Sequence, residues 1–239
     1  TKDFSNFSIK ISGKENELVN MAKNVAKKKS LYLMRRINFP RKQVTVNKRK
    51  RIKHSILAIG ASTGGPPAIE NVLSGIPGDF PVPIVISQHM PKLFTKSFAQ
   101  RLNNTSQITV KEAENGEALK SGIALIAPGD THMGIVKRNN EAVVEFTNDT
   151  KYIYRPSVDL LFSSVAQVYG MESVCVILTG MGNDGMAGAK DVKAKNGYVI
   201  AQDEDTCVVY GMPRAVIDAN MADIVLPLDK ITEEIMKIL

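Results

Sequence analysis

The sequence predicts an α/β fold: a doubly wound, mostly parallel sheet flanked by helices on both faces, with an antiparallel β-hairpin near 132–147. Three observations carry this expectation. From residue 55 onward, apolar runs of strand length alternate with segments of helical length. The runs themselves (ILAIG, PIVIS, VCVIL) are apolar almost without alternation, as in strands covered on both faces by helices. Residues 132–147, HMGIVKRNNEAVVEFT, then break the rhythm, with turn residues RNN between two short strands.

Taken in order, the first element is a helix over 15–34, with Leu18, Met21, Ala22, Val25 and Ala26 at helical spacing and a basic opposite face. Residues 35–53 lack a steady period and read as linker. Strands follow at 55–60, 82–87, 107–111, 122–127, 173–178, 197–201 and 223–226, and helices at 65–75, 92–104, 157–169, 185–195, 212–219 and 229–238. No internal repeat is present.

Charge divides the chain at the same place. Residues 1–53 hold sixteen Lys and Arg against three Asp and Glu, a net of +13, whereas residues 54–239 hold fifteen against twenty-one, a net of −6. The overall +7 therefore belongs to a basic arm, and the acidic remainder argues against a domain built around nucleic acid. No apolar run approaches the ~18–20 residues of a membrane span, so no membrane insertion is expected. Without a signal-peptide pattern the expected location is cytoplasmic, and the chain, starting at Thr1, is expected to be the cut end of a longer protein. Cys175 and Cys207 lie in apolar stretches without metal-ligand spacing and read as buried, reduced thiols.

In an open parallel sheet, chemistry sits beyond the carboxyl ends of the strands. Three loops there are unusual. Gly60-Ala61-Ser62-Thr63-Gly64 matches the G-x-S-x-G pattern that raises a serine on a tight strand-to-helix turn. Taken alone, the motif leaves Ser62 either a nucleophile or a cap for the helix at 65–75. A phosphate cradle is the alternative use of the glycines. It lacks the G-x-x-x-x-G-K-[ST] lysine, position 62 holds Ser where a dinucleotide fingerprint needs its second Gly, and 81–87 carries no acid for a ribose. A nucleotide- or phosphate-binding regulatory module using the loops at 60–65 and 180–185 remains the competing function.

A serine nucleophile needs a base, and the chain has three histidines. His54 precedes the first strand, at the wrong end of the sheet. His89 follows the strand PIVIS, whose exit loop should neighbour that of the first strand in a βαβ unit. His132 also leaves a carboxyl end and is the rival. The orienting carboxylate is expected at Asp184 in TGMGNDGMAG, with Asp130 as rival and a cap on the helix at 185–195 as its structural reading. Main-chain N–H groups around Met181 and Gly182 could serve an oxyanion. No cofactor or metal is called for.

IGASTGGPPAI, SQHMPKLFTKSFAQRLN, IAPGDTHM, RPSVDLLFSSVA, VILTGMGNDGMAGA and AQDEDTCVVYGMPRAV, in this order over residues 54–239, together resemble the catalytic domain of the CheB-type chemotaxis protein-glutamate methylesterases. The resemblance implies a serine hydrolase that removes methyl esters from glutamates of chemoreceptor cytoplasmic domains, releasing methanol, and that deamidates receptor glutamines. It places Ser62 as nucleophile, His89 as base and Asp184 as third member, with Met181 and Thr63 near the site. Family members carry a receiver domain ahead of the catalytic one. Residues 1–53 do not match a receiver, and ELVNMAKNVAKKK at 17–29 resembles its last helix running into a basic linker, so constitutive activity is expected.

Overall fold

The computed structural model describes residues 54–239. The helix expected at 15–34 and the linker at 35–53 lie outside the described residues. The elements are β1 (Ile56–Ala61), α1 (Gly65–Ser74), β2 (Ile84–Gln88), α2 (Lys92–Thr105), β3 (Thr109–Glu112), β4 (Ile123–Ile126), β5 (His132–Arg138), β6 (Glu141–Thr147), α3 (Val158–Tyr169), β7 (Ser173–Ile177), α4 (Met186–Ala194), β8 (Tyr198–Gln202), α5 (Met212–Asp218), β9 (Ile224–Leu226) and α6 (Leu228–Ile238).

Seven strands form one sheet in the order β3-β4-β2-β1-β7-β8-β9, parallel at every pairing. The hairpin β5–β6 pairs antiparallel as a separate two-stranded sheet. The main sheet is thus more uniform than the mostly parallel one expected. The strands and helices predicted from residue 55 onward are all found, with ends shifted by a residue or two.

The continuous apolar runs are explained by burial on both faces. In β1, Leu57 and Ile59 point into a core shared with α1, α2 and α6, while Ile56 and Ala58 point into a second core shared with α3, α4, α5 and the hairpin. Period-two side chains on a strand with a helical layer on each side leave no face for polar residues. Each fully buried Leu, Ile or Phe contributes roughly 1.5–3 kcal/mol relative to an exposed one.

The strand order creates the site. The chain runs from β1 outward through β2, then returns to the other side of β1 at β7. The order therefore reverses at β1, and in open α/β sheets the carboxyl ends of the strands at such a switch point are where ligands bind. The ends of β1 and β7 are tied by Leu178 N–H to Gly60 O at 2.9 Å and Ser62 N–H to Thr179 O at 3.0 Å.

Candidate active site

Ser62 ends the first strand on a turn made possible by its neighbours. Gly64 has φ +81°, and a Cβ at Gly65 would collide with Gln88 Oε1. Gly65 N–H closes the turn onto Ser62 O at 2.8 Å. The helix-cap reading of Ser62 fails: Gly64 is the N-cap residue of α1 and no side chain caps it. Among the described residues no hydrogen-bond partner engages Ser62 Oγ, so backbone contacts alone place it.

His89 follows β2, and because β2 pairs with β1 its loop meets the serine loop. Its N–H donates to Ala61 O at 3.0 Å. Gln88, buried at the strand end, bridges the two loops, with Nε2 donating to Ser62 O and to His89 O at 3.0 Å each. Sequence reasoning passed over Gln88; the available signal was an amide at the end of a strand that is otherwise buried and apolar.

Asp184 accepts from His89 Nε2 at 2.7 Å. Its remaining acceptor positions are filled by Val158 N–H at 2.7 Å, Asp159 N–H at 2.9 Å and Ser157 Oγ at 3.1 Å. These are the first donors and the N-cap of α3, so the carboxylate sits on a helix N-terminus, where a negative charge is favoured. Burial, the largest influence, pushes its pKa up, but the His89 bond and then the two backbone N–H bonds outweigh it and hold the carboxyl below the usual Asp value. Asp184 does cap a helix, though not the one beginning after it. The N-terminus of α4 is served by Asp159, whose Oδ1 accepts from Gly185 N–H and Gly188 N–H at 2.8 Å each. The two aspartates cap each other's helices. Burial and the neighbouring Asp184 charge raise the Asp159 carboxyl to about 6.

The His89–Asp184 bond uses Nε2, which leaves Nδ1 as the ring nitrogen available to a reacting group. Gly180 lies against Ser62, since an added Cβ there would come within 2.8 Å of Ser62 Cβ. Met181 follows it, with a side chain 71% exposed. Among the described residues, no acceptor is bound to the N–H of Thr63 or of Met181, so both donors remain open beside the serine turn. The loop behind them is fixed by Thr179, whose Oγ1 donates to Thr63 O at 2.9 Å, and by buried Gln202, whose Oε1 accepts from Thr179 N–H at 2.8 Å.

The rival pairing of His132 with Asp130 is not made. His132 is buried in β5 with Nε2 on the Asp149 carbonyl at 3.1 Å, and Asp130 is an exposed turn residue at φ 64°. The phosphate cradle also finds no support. The helix after the glycine turn begins Gly65-Pro66-Pro67, and two prolines remove N–H donors that would hold a phosphate. At the second glycine loop the Asp159 carboxylate already occupies the N-terminus of α4. Both cysteines are free, with Cys175 buried as expected but Cys207 only half-buried. Among the described residues, no group of three or more His, Cys, Asp or Glu could hold a metal ion, and no helix is long and apolar enough to cross a membrane.

A serine elbow at the switch point of a parallel α/β sheet, beside a histidine bound to a buried carboxylate, is the layout on which serine hydrolases are built. The family follows from comparison with known proteins. Residues 57–235 match the CheB methylesterase family model, and the chain belongs to that family. It is 50% identical over 182 residues to a protein-glutamate methylesterase/protein-glutamine glutaminase of Nitratidesulfovibrio vulgaris, covering 76% of this chain and 50% of that one. A protein of the same name from Thermotoga maritima is 48% identical over 189 residues, covering 78% of this chain and 55% of its own. The chain thus spans about half the length of the curated relatives it matches. The crystal structure of the Thermotoga maritima CheB methylesterase catalytic domain superposes with a TM-score of 0.76 at 46% identity, over 79% of this chain and all of that domain.

Proposed function

We propose that this chain hydrolyses methyl esters of glutamate side chains on the cytoplasmic domains of chemoreceptors, releasing methanol. The observation that carries the proposal is the His89–Asp184 bond beside the Ser62 turn, in a chain of this family. With Asp184 ionised, His89 carries its proton on Nε2 and presents the Nδ1 lone pair. Nδ1 takes the Ser62 proton as Oγ attacks the ester carbonyl, and the imidazolium formed is stabilised by Asp184. The developing oxyanion is held by the open N–H groups of Thr63 and Met181. Methanol leaves with the proton from His89, and water, activated by the same nitrogen, hydrolyses the acyl-enzyme. Attack on a glutamine side chain follows the same steps with ammonia leaving. This accords with the glutaminase activity named for the relatives.

Exposed apolar side chains support a protein surface as substrate. Leu93 and Phe94 follow the His89 loop, Ile153 precedes the Asp184-binding helix, and Met181 and Val208 flank the serine turn. Such a rim suits a docked helix better than a small solute. Residues 1–53 serve in this proposal as a basic linker to a receiver domain, with residues 54–239 as the catalytic domain in the cytoplasm. The test is methanol release from methylated receptor by the chain and by Ser62→Ala. A fall on the order of 10⁴-fold or more is expected, and full activity in the variant overturns the mechanism.

A further inference from the structure

We propose that Tyr154 is a positioning residue for the His89 imidazole, a role that rests on reading His89 as the base. The Tyr154 ring lies on the imidazole face with centroids 4.7 Å apart and planes 14° from parallel. Its hydroxyl reaches the opposite loop, since a Cβ added at Gly182 would stand 3.0 Å from Tyr154 Oη. One side chain therefore touches both the loop of the base and the loop of Met181, and it comes from a third segment, between β6 and α3.

The need for it follows from how His89 is held. Its backbone is fixed by the bond to Ala61 O and its ring by one bond, from Nε2 to Asp184. A ring held at one nitrogen can still pivot about that bond, and the pivot swings Nδ1 across the site. A stacked ring on the face removes that freedom. Core packing does not account for Tyr154. It is 40% exposed, and among the described residues its hydroxyl has no hydrogen-bond partner. The stack also acts in the direction of reaction: an aromatic face attracts the imidazolium that forms when His89 takes the serine proton.

The test uses the full chain with Tyr154→Phe, Tyr154→Leu and Tyr154→Ala. Two rates are followed: methanol release from methylated receptor, resolved into kcat and KM, and covalent labelling of Ser62 by a fluorophosphonate. Phe keeps the stack and should remain within about 3-fold of the parent. Leu keeps apolar bulk without a planar face, and Leu and Ala should both lose about 10–100-fold in kcat, the scale of a small misplacement of a catalytic group. KM should stay nearly constant and labelling should slow in parallel. Full kcat in Ala, a loss confined to KM, or a Phe variant as impaired as Ala overturns the proposal. The outcomes separate it from the substrate assignment. If the parent labels at Ser62 but releases no methanol, the receptor-ester reading falls and the labelling series still decides Tyr154. If the parent does not label, His89 is not acting as the base and this proposal falls with it.

Discussion

His89 and His132 both lie beyond the carboxyl end of a sheet strand, and each donates through Nε2 beside a tyrosine ring. Their surroundings differ in three ways. His89 faces a carboxylate, and its side chain is 12% exposed. His132 faces a carbonyl, the Asp149 oxygen, and is completely buried. Tyr154 stacks on His89, whereas Tyr152 meets His132 edge-on at 5.6 Å. Burial, aided by the Arg155 charge and opposed by the bond to Asp149, lowers the His132 pKa, so the ring stays neutral near pH 7. The buried His132 ring ties the loop after β6 back to the start of β5. An imidazole with a fixed anion on one nitrogen and an open second nitrogen can take up a proton and return it.

The comparison breaks most visibly by removing each ring. His89→Ala should lower methanol release on the order of 10⁴-fold with little change in thermal midpoint. His132→Leu should keep activity per folded molecule within about tenfold, while losing the bond to the Asp149 carbonyl, worth about 0.5–1.5 kcal/mol. Equal activity losses in the two variants, measured beside chemical denaturation, would erase the distinction. Asp184→Asn comes next. The amide places a donor opposite Val158 N–H and His89 Nε2–H, or else disrupts the contacts on the other oxygen. We expect activity to fall about 10³–10⁴-fold and stability by about 1–3 kcal/mol. An active Asn variant would show that the anion is not what distinguishes His89.

Smaller effects sharpen the contrast through pH. The His132 pKa is depressed by folding, so the unfolded chain binds a proton that the native site refuses. Its contribution to stability is therefore full above the unfolded value of about 6.5 and declines as pH falls below it. The denaturant midpoint of the parent should drop more between pH 7.5 and 5.5 than that of His132→Leu, and identical drops would reject the assignment. Asp159 has the opposite sign. Its carboxyl is raised to about 6 in the fold, so its charge disfavours the native state as pH rises from about 4 through 6. Asp159→Asn keeps an oxygen for Gly185 N–H and Gly188 N–H and should be more stable than the parent at pH 7, by on the order of 1 kcal/mol. The gap should close below about pH 4. A variant less stable at pH 7 would mean that the charge on the α4 N-terminus outweighs its repulsion from Asp184.

Much of the site was legible because its signals are local. An apolar run ending in Gly-Ala-Ser-Thr-Gly specifies a strand, a tight turn and a serine on that turn within ten residues. His89 could be chosen over His54 from chain direction alone. Gln88, Ser157, Asp159 and Tyr154 were not legible as parts of one arrangement, because each acts on a residue from another loop. The pair Pro66-Pro67 was readable and weakens the phosphate cradle without any coordinates, since proline has no N–H to offer.

The sequence by itself determined the layered α/β fold, for a physical reason: strands without polar alternation must be covered on both faces, and the glycines and prolines mark where they end. It also determined which serine stands at a strand-to-helix turn. Only the tertiary structure decided that Asp184 caps α3 rather than α4, that His89 meets it through Nε2, and that Tyr154 lies on the imidazole. Those contacts join segments 25 to 95 residues apart. They depend on strand order and on how helices cross the sheet, neither of which hydrophobic periodicity encodes.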